Sequence, residues 1–213
     1  TEGCIEENAA CEEMVAKYMG RLRTSQAGFS AFMSVFDDLI LAGHDVLCLT
    51  ISSRLSGTYG NARIAARETA PDKIEVVDSL TTGGGLYLLI KEARRLLDGG
   101  LTVQETAQRL RVLRGRVKTV FSVEDISALR SSGRLGNVKM SVATILNIKP
   151  MLKCLDGGIV SCGITRGRHE QLSTLMRFMG AFNGLVVLQS FQAPGQVKLL
   201  RQRLLQKGCR VLE

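Results

Sequence analysis

Val46-Leu47-Cys48-Leu49-Thr50-Ile51-Ser52-Ser53-Arg54-Leu55-Ser56-Gly57-Thr58 is the stretch whose reading decides the fold. Its first six residues form an apolar run with β-branched members, the pattern of a strand buried in a parallel sheet. Residues 58–69, with Ala62, Ala65 and Ala66, read as a helix. The hydroxyls of Ser52, Ser53, Ser56 and Thr58, with Gly57, therefore lie between the carboxyl end of a strand and the amino end of a helix. Open α/β sheets bind ligands at that place, because free backbone N–H groups and the helix dipole favour a negative group there. Ser and Thr add donors that do not change with pH. The same residues also make a good helix cap and surface turn, and spacing alone does not separate the two readings.

Upstream, Arg23-Thr24-Ser25-Gln26-Ala27-Gly28 is a polar turn opening an amphipathic helix. Phe29, Phe32, Met33, Phe36, Leu39 and Ile40 recur at helical spacing and predict one buried face, and Gly43 ends the helix. Residues 1–20 are acidic with a weak apolar period (Met14, Val15, Tyr18, Met19), which predicts a further helix. Downstream, Ile74-Glu75-Val76-Val77 reads as a strand ending in Asp78-Ser79. Thr81-Thr82-Gly83-Gly84-Gly85 then leads into a helix expected to bury Leu86, Leu89, Ile90, Ala93 and Leu97. This second strand–turn–helix unit lacks the spacing of a dinucleotide fingerprint. Gly99-Gly100 stops that helix. Thr102-Val103-Gln104-Glu105 is a capping box for the next, with Val103, Ala107, Leu110 and Leu113 facing inward.

The pattern changes near residue 117. Residues 117–123 read as a strand, 124–130 as a short helix, and Ser131-Ser132-Gly133-Arg134-Leu135-Gly136 as a loop. A short apolar helix (Val138, Val142, Ile145, Leu146) is expected next. Residues 148–155 and 159–165 flank Asp156-Gly157-Gly158, a strong hairpin signal. Helices over 169–179 and 195–207 alternate with strands over 185–189 and 209–212. The expected fold is α/β in two domains. Residues 1–116 form a parallel sheet with helices on both faces, and residues 117–213 form a smaller mixed sheet containing the hairpin.

Composition narrows the classes. With 213 residues, 45% of them hydrophobic, but no apolar run of about 18, nothing in the sequence reads as a membrane span. The start carries neither a signal peptide pattern nor an initiator Met, which suggests a fragment. Six cysteines (4, 11, 48, 154, 162, 209) include no CxxC pair and read as reduced thiols of a cytoplasmic protein. His44 and His169 have no cysteine at ligand spacing, so neither a zinc site nor any other metal site is expected. The net charge of +8 raises nucleic acid as a partner. The densest basic run, residues 109–118, lies on a helix without interleaved aromatics, and a solvated face or a docking surface for an acidic protein fits it better.

The motifs together resemble the DegV family. They are Thr24-Ser25-Gln26, Ser52-Ser53-x-x-Ser56-Gly57-Thr58, Val77-Asp78-Ser79, Gly133-Arg134-Leu135, Ile148-Lys149-Pro150 with Asp156-Gly157, and Thr165-Arg166. Their order and rough spacing match from about residue 20 onward. The resemblance implies two α/β domains with one long-chain fatty acid, of palmitate or oleate type, in a tunnel between them and no other cofactor. It also implies a carrier with no catalytic residue of its own, presenting the carboxylate to a partner fatty-acid kinase that makes acyl phosphate with ATP. Carried over residue by residue, Thr24, Ser53 and Ser56 would contact the carboxylate. Ser25, Ser52 and Gly57 would shape the pocket, and Arg134 and Arg166 would serve the head group or the kinase-docking surface.

The sequence departs from the family pattern in three places. Ala27-Gly28 follows the TSQ turn where Pro is usual. The family's opening DSxxDL-type segment and its later H-x-GPG motif are both missing. Both domains are thus expected to be incomplete and ligand affinity weakened. Two other classes compete. One is an α/β enzyme using Ser52, Ser53 or Ser56, although no G-x-S-x-G elbow or Walker A motif is present. The other is a regulatory or nucleic-acid-binding protein, resting on charge alone.

Overall fold

The computed structural model describes residues 17–18, 24–124, 126, 129–130, 132–135, 148–191 and 193–212. Outside them lie Cys4 and Cys11, all but Lys17 and Tyr18 of the expected amino-terminal helix, Arg23, Gly136, and the short apolar helix of Val138 to Leu146. Six helices and seven strands stand among the described residues.

The quoted stretch folds as its pattern dictates. Strand β1 (Val46–Thr50) pairs in parallel with β2 (Ile74–Asp78), from Val46 opposite Ile74 to Thr50 opposite Asp78. Alternation then sends successive side chains to opposite faces. Val46, Cys48, Ile74 and Val76 pack on one face against helices α1 (Phe29–Leu41) and α2 (Thr58–Thr69), through Phe36, Ala62, Ala65 and Ala66. Leu47, Leu49 and Val77 pack on the other against α3 (Gly83–Asp98) and α4 (Val103–Leu113), through Leu89, Ala93, Ala107 and Leu110. Small alanines on α2 let it lie close on the strands.

Two expected helix faces differ in detail. In α1 only Phe36 is fully buried, while Phe29 at the first turn stays partly exposed. In α3 the triple glycine is the helix's own first turn, so the buried line runs Gly85, Leu89, Ala93 and Leu96, and Ile90 faces outward. The capping box of α4 forms with both of its bonds.

A turn of 3₁₀ helix (Arg114–Arg116) leads to β3 (Val120–Ser122), shorter than the expected strand. It joins β4 (Ile148–Leu155) and β5 (Gly158–Arg166) in an antiparallel sheet. Asp156 and Gly157 make the tight turn between them with φ of 48° and 82°, as a two-residue hairpin of this type demands. Helix α5 (Gly167–Met179), β6 (Leu185–Val187), α6 (Pro194–Gln206) and β7 (Arg210–Leu212) follow. β6 and β7 pair in parallel, so this half holds two small sheets, one antiparallel and one parallel. Leu55, from the loop after β1, packs with Ile126, Leu152 and Ile159 and seats the hydroxyl loop against this half.

Candidate functional site

The loop after β1 is held from within and from across the chain. Ser52 is fully buried, and its Oγ donates to the carbonyl of Gly157 at 2.7 Å while accepting from the Arg54 amide at 3.2 Å. Its carbonyl receives the amides of Leu55 and Ser56, and its own amide donates to the Thr81 carbonyl. Arg54 adds a bond from its guanidinium to the Asp156 carbonyl at 3.3 Å. Ser52, expected from the family resemblance to shape the pocket, thus ties a strand end to the tip of a hairpin more than a hundred positions away. Ser53 donates its amide to Asp78 Oδ1 at 3.1 Å and leaves its side chain exposed.

Ser56 and Thr58 share a bond between hydroxyls at 2.8 Å, and the Thr58 amide donates to Ser56 Oγ at 3.3 Å. This pins the start of α2, whose first-turn amides have no partner in their own helix. Residues 24–28, expected as a turn, instead run without one into α1, with Gly28 extended at φ −73° and ψ 155°, and this segment docks on the same place. The Ala27 amide donates to Thr58 Oγ1 at 3.4 Å, and Asn61 Nδ2 donates to the Ala27 carbonyl at 2.7 Å. The Gln26 side-chain amide lies over Gly57 where a Cβ would stand, so any side chain there would have to push the Gln26 amide aside. Thr24 and Ser25 are exposed on the segment. The fold therefore brings Gln26 and Ala27, which follow Thr24 and Ser25, to the helix end that holds Ser56, Gly57 and Thr58.

The two arginines part company. Arg134 is half-buried and donates from Nε to the Leu55 carbonyl at 2.9 Å, which sets it behind the hydroxyl loop. Arg166 pairs with Ile148 at the far end of the hairpin, seven strand steps from the Leu155–Gly158 pair beside the turn. At about 3.3 Å per residue that is about 23 Å from the turn that meets Ser52. Its side chain is exposed.

Sequence reasoning assigned no site role to Thr58, Asn61 or Asp78. Thr58 and Asn61 hold the segment 24–28, and Asp78 Oδ1 accepts the amides of both Ser53 and Leu80. Thr58 and Asp78 lie within quoted motifs, which was a usable signal; Asn61 had none beyond its place on the first turn of a helix.

The second loop, after β2, turns its polar groups inward. Ser79 Oγ donates to the Thr81 carbonyl and accepts the Thr81 amide, both at 3.2 Å. Thr81 Oγ1 meets Thr119 Oγ1 at 2.8 Å, and Leu80 takes a φ of 53° between them. Gly84 at the start of α3 donates its amide to Gln189 Oε1 at 3.0 Å, from just beyond β6.

The donors around Ser56 are hydroxyls and amides. The clear pKa shifts lie elsewhere: burial pushes the Cys48 thiol in β1 up to about 11 and also raises Cys154 and Cys162. Among the described residues no group of three or more His, Cys, Asp and Glu side chains is placed to hold a metal ion. No helix among them is long and apolar enough to cross a membrane. Two surface hollows, of about 360 and 310 Å³, lie along α3 and α4 around Arg109 and touch none of these loops.

A family model described as "uncharacterised protein, DegV family" matches residues 6–207. The chain belongs to the DegV family. A DegV domain-containing protein of Clostridium perfringens is 31% identical over 153 residues, covering 72% of this chain and 55% of that relative. The chain thus spans about half the length of the curated DegV relatives it matches. A solved DegV family protein from Thermus thermophilus, described by its fatty acid binding, is 29% identical with a TM-score of 0.79, covering 98% of this chain and 77% of its own. The fatty acid kinase B3 protein of Streptococcus pneumoniae, solved loaded with linoleic acid, has a TM-score of 0.84 at 21% identity and covers 96% and 75% of the two chains. That likeness shows the α/β fold shared across DegV proteins.

Proposed function

We propose that this DegV chain binds one long-chain fatty acid, palmitate or oleate in type, and presents its carboxylate to a partner fatty-acid kinase for conversion to acyl phosphate. The observation that carries the reading is the junction at Thr58, whose hydroxyl receives the segment 24–28 on one side and Ser56 on the other. A carboxylate taken out of water is costly unless donors meet it, and charge-assisted bonds from hydroxyls are short and strong. Thr24, Ser53 and Ser56 supply those donors in this reading. Ser25, Ser52 and Gly57 shape the pocket: the Ser52 hydroxyl is committed to Gly157, and Gly57 leaves space for Gln26. Arg134 stands behind the loop on the head-group side, and Arg166, about 23 Å along the hairpin, suits a kinase-docking surface. The acid would lie between a domain ending near residue 116 and the one that follows.

Carriage rather than catalysis is supported by the serines themselves. Ser52 has its hydroxyl proton committed to the Gly157 carbonyl, and the histidines sit in the α1–β1 connection and on α5, away from Ser56. Arg111 and Arg114, from the basic run that raised nucleic acid, reach Glu75 and the Asp78 carbonyl at 2.6 Å each. A cytoplasmic protein whose partners are the acid and the kinase fits these facts.

The test is native mass spectrometry of the longest form the gene encodes, followed by organic extraction and lipid identification. A stoichiometric adduct of fatty-acid mass, lost in the Thr24→Ala/Ser56→Ala double variant, is the expected result. A protein that stays empty after incubation with palmitate or oleate overturns the reading. Added kinase and ATP should convert the bound acid to acyl phosphate, and the DegV protein with ATP alone should not.

A further inference from the structure

Thr50 is the last residue of β1, and alternation places its side chain on the same face as Val46 and Cys48, under α1 and α2. The residue is 4% exposed, yet its Oγ1 finds no hydrogen-bond partner among the described residues. Buried hydroxyls without partners are rare, and each calls for a physical reason. Its ladder partner, Asp78, gives Oδ1 to the amides of Ser53 and Leu80 rather than to Thr50. The chain leaves Thr50 through the hydroxyl loop and returns over the same face as α2, a helix of 12 residues. The orphaned hydroxyl thus lies on the sheet face that α2 covers, at the strand end from which the loop carrying Ser56 to the start of α2 leaves.

We infer that the Thr50 hydroxyl is a further contact to the bound acid's carboxylate, donating from the sheet side while Thr24 and Ser56 donate from the rim. The inference rests on the fatty-acid reading above. No pattern marked Thr50 in the sequence, since it looks like one more β-branched member of a buried strand. In the contact, the Thr50 O–H donates to a carboxylate oxygen and the acid remains ionised.

The experiment compares binding of oleate and of oleyl alcohol, which lacks the carboxylate, to the wild type, Thr50→Val and Thr50→Ser. Valine keeps the shape and removes the hydroxyl; serine keeps the hydroxyl. The expected result is about tenfold weaker oleate binding by Thr50→Val, the loss of one bond to a charged group. Oleyl alcohol binding should stay within about twofold, and Thr50→Ser should recover oleate binding. A purely structural hydroxyl would shift both ligands together, and that outcome, or no shift in either, overturns the inference while leaving the carrier reading intact. If the valine variant does not fold, Thr50→Ala is judged by the same ratio of the two ligands. A wild type that binds neither ligand defeats the carrier reading and this inference with it.

Discussion

The loops after β1 and after β2 look alike in sequence, each a strand end followed by hydroxyls and glycine, yet they are built to opposite ends. Residues 52–58 hold other parts of the chain: Ser52 the hairpin tip, and Thr58, itself bonded to Ser56, the segment 24–28. The hydroxyls of residues 79–82 stay mainly within their own loop: Ser79 Oγ bonds only Thr81 among the described residues and Thr81 Oγ1 meets Thr119, while backbone bonds tie the loop to Thr50 and Ser52. A count of hydroxyls at strand ends cannot tell a loop whose side chains hold distant segments from a self-capped turn. The identity of each hydroxyl's partner can.

The sharpest way to break the comparison is to unseat the hairpin from the first loop. Gly157 has a φ of 82°, and a Cβ there would stand 2.6 Å from Ser52 Oγ and 3.0 Å from Leu80 Cδ2. Gly157→Ala adds backbone strain to a collision with the residue that anchors the loop. It should lower stability by about 3 kcal/mol, read from the urea midpoint, and ligand retention should fall with it. An unchanged midpoint would show that the hairpin does not hold the loop.

A paired substitution sets the two loops side by side. Ser52 and Ser79 are both fully buried, and each hydroxyl both donates and accepts. Replacement by alanine should cost about 1–3 kcal/mol at either site. Only Ser52→Ala should also deplete the bound acid, because only Ser52 joins separate parts of the chain. Equal depletion by Ser79→Ala would erase the distinction. Thr58→Val should follow with a smaller loss of stability, about 1 kcal/mol for a helix-start hydroxyl. It should nonetheless release the ligand, since the segment 24–28 would lose its anchor.

Much of this arrangement was legible before the structure, and the legible part is local. An apolar run with β-branched residues gave β1, alanine spacing gave α2 to the residue, and Asp-Gly gave the hairpin turn, since each rule acts over a few neighbouring positions. The missing part consists of contacts between distant residues. Ser52 to Gly157, Gly84 to Gln189 and Arg134 to Leu55 span 79 to 105 positions and leave no periodic trace. The triple glycine shows the same limit. It was read as a turn, but Gly84 and Gly85 lie inside α3, where a Cβ would strike Val187 or the Thr81–Thr119 pair. Of the candidate site, the contacts of Gln26 and Ala27 with Gly57, Thr58 and Asn61 had no signal in spacing, and the roles of Thr24 and Ser56 rest on the family resemblance.

A third helix start supplies the control with the smallest effect. Helix α4 is capped wholly by its own neighbours: Thr102 Oγ1 accepts the Glu105 amide, and Glu105 accepts both the Thr102 amide and its hydroxyl. Those two donors hold the Glu105 carboxyl below its usual pKa. A carboxylate with a lowered folded pKa stabilises the protein above its unfolded value, about 4.3, and that contribution disappears as pH falls through the folded value. The wild type should therefore lose part of its Tm advantage over Glu105→Gln as pH is lowered from 6 toward 3. Because the carboxylate is exposed the difference should be small, and it should leave ligand retention untouched at every pH. A change in bound acid on Glu105→Gln would mean that helix starts in this fold communicate through the sheet. The contrast between the two hydroxyl loops would then reflect general stability rather than what each loop holds.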